Sequence, residues 1–580
     1  MGQLNAGVDT LNAKLQQAVA LHRQGRLTHA QALYEKILKQ QPENFNALHL
    51  LGVVAAQTND PARALTLISK AIQIDPRNAD AFCNQGSAFK ALENFEAALR
   101  SYEQAIALRP DYAEAHCCLS IVLRHLRRWD EALRCCARSI ELRPSYAEAH
   151  LSRGMILKEL GQTDAALESC DRAIAFDPNS VEAHNLRGNL LRAVGDREAA
   201  LSCFERALVL NPDYLHAHLN RGNVFIDLYR LDEALGSYGR AIALKSDFAE
   251  ARANRAPILL LRGDFAQGWA EQEWRWLVGD DSIRQQKKKF QQPLWLGRKP
   301  IAGETVLLVA VQGMGDTLQF CRYAALVARL RATVILQVPR PLVALLMTLE
   351  GISAVYGDDE PLPAFDTYCR MTSLPLAFQT TLSTIPVQIP YLRSCAAKAV
   401  QLRQKLGKKV KARVGLVWSS LFRPNEQEGW SVLNNRIIPL AKLASLKHGE
   451  IEFHSLQKGQ PAESELGQLR AAAWSGPDIV DYTAQLDDFS DTAALIENLD
   501  LVISVDTSVA HLAAAMGKPV WILLCFDSCW RWLAQRSDSP WYPTARLYRQ
   551  GSPGDWDGVV QRVRHDLEEW VQEVRLAGAP

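Results

Sequence analysis

The first ten residues, Met1 to Thr10, lack the basic start and apolar run of a secretory leader. Gly2 is followed at position 6 by Ala rather than Ser or Thr, so the myristoylation pattern fails as well. Long apolar stretches are missing: the strongest runs are strand-length and are broken by Asp506, His511 or Lys518, which excludes a membrane-spanning helix. Neither charge is in excess, with 65 Lys and Arg against 64 Asp and Glu, so neither nucleic acid nor a strongly anionic membrane is indicated as a partner. A cytoplasmic protein is the expectation. The chain has 12 cysteines but no Cys-x-x-Cys spacing, and neighbours such as Cys117-Cys118 or Cys135-Cys136 point about 100° apart on a helix. They are expected as small buried hydrophobes. Cys525 and Cys529 stand near the end of an expected strand, and nothing nearby completes a metal set.

What the chain does have is a period. Pro42, Pro76, Pro110, Pro144, Pro178 and Pro212 recur every 34 residues, with Ser246 in the seventh place. Gly52, Gly86, Gly154, Gly188 and Gly222 follow their prolines by ten, and Ala64, Ala98, Ala132, Ala166, Ala200 and Ala234 mark close crossings of paired helices. Tyr102, Phe204 and Tyr238 stand four residues beyond such alanines. The pattern resembles tetratricopeptide repeats: seven fill about 11–248, and a degenerate eighth runs to about Trp276. The resemblance implies an α-solenoid, a superhelix whose groove takes extended peptides or partner proteins. Asn84, Asn220 and Asn254 share one helix phase, which resembles in broken form the asparagine ladder of O-linked N-acetylglucosamine transferases. Cys118, Ser152 and Leu186 hold that phase elsewhere. Arg153, Arg187, Arg221 and Arg255 form either a basic stripe for an acidic or hydroxyl-rich segment or a solvated face. His116, His150, His184 and His218 also recur at 34, but repeats hold them ~10 Å or more apart, too far to share a metal. They are expected to be packing residues.

Trp269, Trp274 and Trp276 lie on an amphipathic terminal helix suited to capping the repeats or docking them on the next domain. A linker is expected over 277–303, with the run 287–289 of three lysines solvated and Trp295 and Leu296 pinning the segment. Two α/β halves are then expected, 304–395 and 396–580, the second ending in a helix. In the first, strand Thr305 to Val311 leads through Gly313-Met-Gly-Asp316 to a helix from about Leu318 to Leu330. A strand Val334 to Val338 and a helix Pro341 to Leu349 come next. A helix near Ala396 to Leu406 joins the halves. The second half opens with strand Val414 to Trp418, then helix Leu440 to Leu446 and strand Ile451 to Leu456.

The most informative stretch is 500–524. Leu501 to Val505 reads as a buried strand, Asp506, Thr507 and Ser508 offer helix-start chemistry, and Val509 to Met516 forms helix. Gly517 then suits the helix end, and Val520 to Leu524 is a second buried strand. The helix start faces the carboxyl end of a sheet, where free N–H groups and the helix dipole favour an anion. The run from Asp506-Thr-Ser through His511-Leu-Ala-Ala-Ala to Gly517 and Pro519 resembles the nucleotide-sugar motif of heptosyltransferase-like glycosyltransferases. With the repeats, the chain looks like a bacterial tetratricopeptide-repeat glycosyltransferase, a group that includes flagellin-modifying enzymes.

That resemblance implies a GT-B fold of two Rossmann-like halves with the site between them. It implies a donor diphosphate at Thr507 and Ser508, with Asp506 beside them, and Asp316 as the catalytic base, where helix capping is the alternative. Gly313 and Gly315 let a backbone approach the donor, and Arg436 or Lys458 offsets the leaving charge. The family's Arg-Ser-Ile-Pro-like segment is altered here by Ile437, and the stretch 419–434 differs at Phe422, Pro424 and Trp430. His511 either contacts the donor or makes a buried hydrogen bond. One of Trp418, Trp530, Trp532, Trp541 and Tyr542 is a candidate for stacking on a base or sugar. No acidic pair with metal-binding spacing (Asp-x-Asp) is evident, so transfer without a metal or other cofactor is expected, with inversion at the anomeric carbon. The acceptor is expected on a protein held by the repeats, with a glycan acceptor or a non-catalytic scaffold as the rival readings.

Overall fold

The computed structural model describes residues 2–279, 290–311, 313–420, 436–472 and 474–577. The lysine run 287–289, and Phe422, Pro424 and Trp430, lie outside the described residues. By contact the chain forms two compact units, Met1–Val224 and Phe225–Pro580.

The first unit is a helical solenoid of paired helices, such as Ala79–Ala91 with Phe95–Leu108 and Val181–Ala193 with Arg197–Leu210. Small residues set the closeness of each pair. A Cβ on Gly86 would lie 2.8 Å from the Tyr102 ring, and one on Gly188 would lie 2.7 Å from that of Phe204. The turn inside a pair requires one residue with left-handed backbone. Asn59, Glu93 and Arg127 adopt it with φ of 61°, 57° and 58°, where Gly161 and Gly195 do so without strain. The recurring histidines have a structural use. Nε2 of His116, His150, His184 and His218 donates to the carbonyl of the proline six residues earlier, at 3.2, 2.9, 3.1 and 2.8 Å. A carbonyl only accepts, which fixes the proton on Nε2.

In the second unit this device persists with other residues: Arg252 Nε donates to Ser246 O at 2.8 Å. Helices Leu231–Leu244, Ala249–Arg262 and Phe265–Gln272 belong to this unit, not to the first. The expected boundary near 276 therefore differs from the contact boundary at 224. The cause is an aromatic cluster: Phe265 and Trp269 share a buried core with Phe320, Trp530 and Trp541. Within the expected linker, Trp295 is buried and donates its backbone N–H to Tyr368 O at 2.7 Å.

Two parallel sheets complete this unit. The first holds β1 (Thr305–Val309), β2 (Thr333–Val338), β3 (Ala354–Gly357) and β4 (Thr367–Arg370), in the order β3-β2-β1-β4. The second holds β5 (Ala412–Val417), β6 (Ile451–Ser455), β7 (Ile479–Asp481), β8 (Leu501–Val505), β9 (Val520–Leu524) and β10 (Ala545–Arg549), in the order β10-β9-β8-β5-β6-β7. Every residue of β8 and β9 is buried, as expected of central parallel strands covered on both faces. The long helix expected over 318–330 is instead two, Met314–Phe320 and Ala324–Arg329, separated by a 3-10 turn. Arg322 in that turn points inward and donates to Trp541 O at 2.7 Å and Tyr391 Oη at 2.9 Å. The segment Leu440–Leu446 is likewise 3-10 rather than α-helical.

Candidate functional site

Chain order reverses between β1 and β4 in the first sheet and between β5 and β8 in the second. Open parallel sheets bind ligands beyond the carboxyl ends of the strands at such reversals, because adjacent loops diverge there and leave a crevice. A cavity of about 520 Å³ lies at these points. Gly313, Gly315 and Asp316 enter it after β1, Ser419 and Ser420 after β5, and Asp506, Thr507, Ser508 and His511 after β8. Arg436 and Lys458 line it as well. The cavity thus gathers every residue expected of the donor and base sites.

On the second-sheet side, Thr507 stands at the start of helix Ser508–Ala515 in extended conformation and makes no side-chain cap bond. Its hydroxyl turns to Ser504 Oγ at 3.0 Å and does not cap the opening of the helix. Arg436 is committed to Asp506, with Nη2 to Oδ2 at 3.1 Å and Nη1 to the backbone oxygen at 3.3 Å. Burial works against the guanidinium's charge, the Asp506 carboxylate favours it, and the net result lies above the ordinary value. The Arg436 Nε is buried with no partner among the described residues. Lys458 Nζ donates to Leu486 O at the cavity edge.

His511 sits inside the core. Its Nδ1 lies 2.9 Å from Tyr542 Oη, its ring stacks on Trp532 at 5.2 Å, and its Nε2 is 3.9 Å from Asp506 Oδ1. Burial drives its pKa down to about 4, against the pull of Asp506, so the ring is neutral at pH 7. His511 makes the expected buried hydrogen bond and also lines the cavity.

On the first-sheet side, Gly313 precedes helix Met314–Phe320, and Asp316 lies in its first turn. Gly315 permits a close approach: a Cβ there would lie 3.0 Å from His511 Cδ2. Asp316 is ion-paired with Arg531, which also lines the cavity. Arg531 is the residue that sequence reasoning missed. Its signal is faint, an arginine between Trp530 and Trp532 just past the carboxyl end of β9.

Other candidates fall elsewhere. Trp418, Trp530, Trp532, Trp541 and Tyr542 are all buried, which leaves none of them as an exposed stacking platform. Asn84 donates to His49 Nε2 at 2.8 Å and Asn220 to Asn185 Oδ1 at 2.9 Å, both along the repeats. Arg187 pairs with Asp171 at 2.7 Å, Arg153, Arg221 and Asn254 are half-buried, and Arg255 pairs with the buried Glu271. Among the described residues the cysteines are free and none is disulfide-bonded, and burial pushes the Cys529 thiol up to about 12. One Asp-x-Asp triplet does exist, at Asp555-Trp556-Asp557. There Asp557 pairs with Lys442 at 2.6 Å and Asp555 accepts from Gly558 N at 2.9 Å, away from the cavity.

Comparison with known proteins gives this arrangement a context. Tetratricopeptide-repeat descriptions match residues 15–79, 86–124, 113–146, 147–180 and 185–247. The description "Glycosyltransferase family 9 (heptosyltransferase)" matches residues 476–524, which hold β7 to β9 and the helix start at Thr507. The chain joins tetratricopeptide repeats to a heptosyltransferase-like α/β region. Protein FlbA of Caulobacter vibrioides is 26% identical over 342 residues, covering 54% of this chain and 54% of that protein. The chain therefore spans about half the length of the curated relative it matches. A tetratricopeptide-repeat protein from Parabacteroides merdae is 17% identical, with a TM-score of 0.37 over 43% of this chain and 98% of its own. Another, from Thermus thermophilus, is 23% identical, with a TM-score of 0.30 over 31% of this chain and 99% of its own. The heptosyltransferase-like match covers the Asp506–His511 side of the cavity and stops short of Asp316. Among the described residues no helix is long and apolar enough to cross a membrane.

Proposed function

We propose that the chain is a glycosyltransferase that moves a sugar from a nucleotide-sugar donor to an acceptor hydroxyl on a protein recruited by the repeats. The observation that carries this reading is the start of helix Ser508–Ala515, where Thr507 makes no side-chain cap bond, opening into a cavity lined by Arg436, Lys458 and Asp316. The donor diphosphate takes the helix N–H groups, and the two cations balance the charge left as the glycosidic bond breaks. Asp316 takes the proton of the acceptor hydroxyl. The hydroxyl oxygen attacks the anomeric carbon from the face opposite the diphosphate and inverts it. Charge compensation by the helix and side chains makes this a transfer without a metal. The repeats supply the acceptor, by analogy with other repeat arrays that hold extended peptides.

One observation favours a second reading, a non-catalytic scaffold: both cavity arginines already have carboxylate partners. Thermal unfolding against ADP, UDP, GDP, CDP and CMP separates the two. A nucleotide at about a hundred times its dissociation constant adds ~2.7 kcal/mol and raises the midpoint. Ser508→Pro is the matched variant, since proline is accepted at the first helical position yet removes one N–H. One nucleotide that stabilises the wild type but not Ser508→Pro supports the transferase, and transfer assays with the corresponding sugar nucleotides then identify the donor. Silence from all five favours the scaffold.

A further inference from the structure

We propose that Arg531 is a positioning residue for Asp316, holding its carboxylate ionised and directed into the cavity from the opposite α/β half. The inference rests on reading Asp316 as the base. Asp316 belongs to the helix after β1, while Arg531 lies beyond β9 in the other sheet, so their ion pair spans the crevice. Both side chains line the cavity, and both are largely buried, at 17% and 14% exposed.

Arg531 is itself held in place. Its guanidinium lies over the Trp530 ring at 4.5 Å, and Nη1 donates to Cys529 Sγ at 2.7 Å. Trp530 stacks on Phe320, which shares the helix of Asp316, at 6.4 Å, and meets Trp269 edge-on at 5.2 Å. The acid and its cation are therefore anchored on one aromatic cluster, which fixes their separation. An arginine placed only to bury charge has no need of a cavity-facing partner on a second domain half.

Other charged groups also stand around this cavity, Asp487 and Asp488 among them. His511 packs against Gly315 and is neutral at pH 7, Arg436 and Asp506 are ion-paired, and Lys458 donates to Leu486 O. Burial lowers the Arg531 guanidinium's pKa to about 10, Tyr542 works against that, and repulsion by Arg275, from the 3-10 turn Glu273–Leu277, lowers it further. A base so paired is kept deprotonated and oriented at the cost of some basicity.

The test compares the full-length wild type with Arg531→Gln and Arg531→Lys. The direct readout is the pH titration of the Asp316 carboxyl by 13C NMR, with the signal assigned through Asp316→Asn; it needs no turnover. In Arg531→Gln the titration moves up by about 1–3 units, the size expected for loss of a close opposite charge. Arg531→Lys keeps the charge and stays close to wild type. The acid limb of kcat/KM moves in parallel, while the nucleotide-dependent rise in unfolding midpoint is retained. An unmoved titration in Arg531→Gln overturns the proposal. If that variant fails to fold, the Lys variant decides: a titration like the wild type's with reduced kcat supports positioning, and unchanged kcat overturns it. A wild type that transfers no sugar, with the titration still moved by Arg531→Gln, refutes the transferase reading and leaves the coupling of the two residues standing.

Discussion

Charged pairs in the repeats and charged pairs at the cavity use the same residue types to different ends. In the first unit, Arg187 and Asp171 are 32% and 57% exposed, and Arg109 and Asp80 are 42% and 47% exposed. Water screens such pairs, and holding two long side chains together costs conformational entropy that offsets most of the attraction. At the cavity, Arg436 and Asp506 are 17% and 5% exposed. Removing charges from water is expensive there, so each partner depends on the other. The repeats can exchange their surface charges with little consequence, whereas the cavity holds interlocked groups whose removal unbalances a buried site. Two halves contributing one pair across the crevice, Asp316 with Arg531, extend that dependence to the packing of the sheets on one another.

The contrast is sharpest for Asp506→Ala. It leaves the Arg436 guanidinium buried and uncompensated, and a loss of roughly 3–5 kcal/mol is expected in urea unfolding of the full chain. A loss below about 1 kcal/mol would place the pair with the exposed ones and break the comparison. Next comes His511. Its folded pKa of about 4 lies below the unfolded value of 6.5, so its contribution is fully present above pH 6.5 and is lost as pH falls toward 4. The unfolded chain takes up the proton first. About 3 kcal/mol separates the two ends of that window. Burial lowers His49 and His454 too, so the pH dependence of wild type minus His511→Gln, rather than the total slope, isolates the effect. Gly86→Ala is smaller. Its methyl meets the Tyr102 ring at 2.8 Å, and overpacking of this kind costs about 1–3 kcal/mol, read as a lower thermal midpoint.

The two regions also differ in how far the sequence discloses them. The repeat period is imposed by neighbour-on-neighbour stacking, so proline, glycine and alanine return at fixed offsets that a reader can count. The left-handed turn residue escapes notice because Asn59, Glu93 and Arg127 occupy it as well as glycine does. In the α/β region, β8 and β9 fall where expected because continuous apolar runs bounded by Asp506 and Pro519 leave little choice. The break in the helix after β1 was not legible. It arises from Arg322 turning inward to carbonyls that only the tertiary fold brings near. Arg531 was hidden for the same reason: its partner is 215 positions away, and no local spacing records the pair.

Arg187→Ala tests the exposed end of the comparison and carries the smallest expected effect. Its bonds to Asp171 and to Cys203 Sγ are made where solvent reaches both charges, so the expected change is below about 1 kcal/mol in the same urea experiment. The substitution also removes one member of the basic column. If a hydroxyl-rich or acidic segment binds along that column, peptide affinity falls while stability holds, and the repeats act as a recognition surface. If affinity and stability both hold, the column is a solvated face, and its regular spacing reflects the 34-residue period alone. A loss of stability near that of Asp506→Ala would mean that Arg187 is coupled to the repeat core through Cys203, and the distinction drawn from exposure would fail.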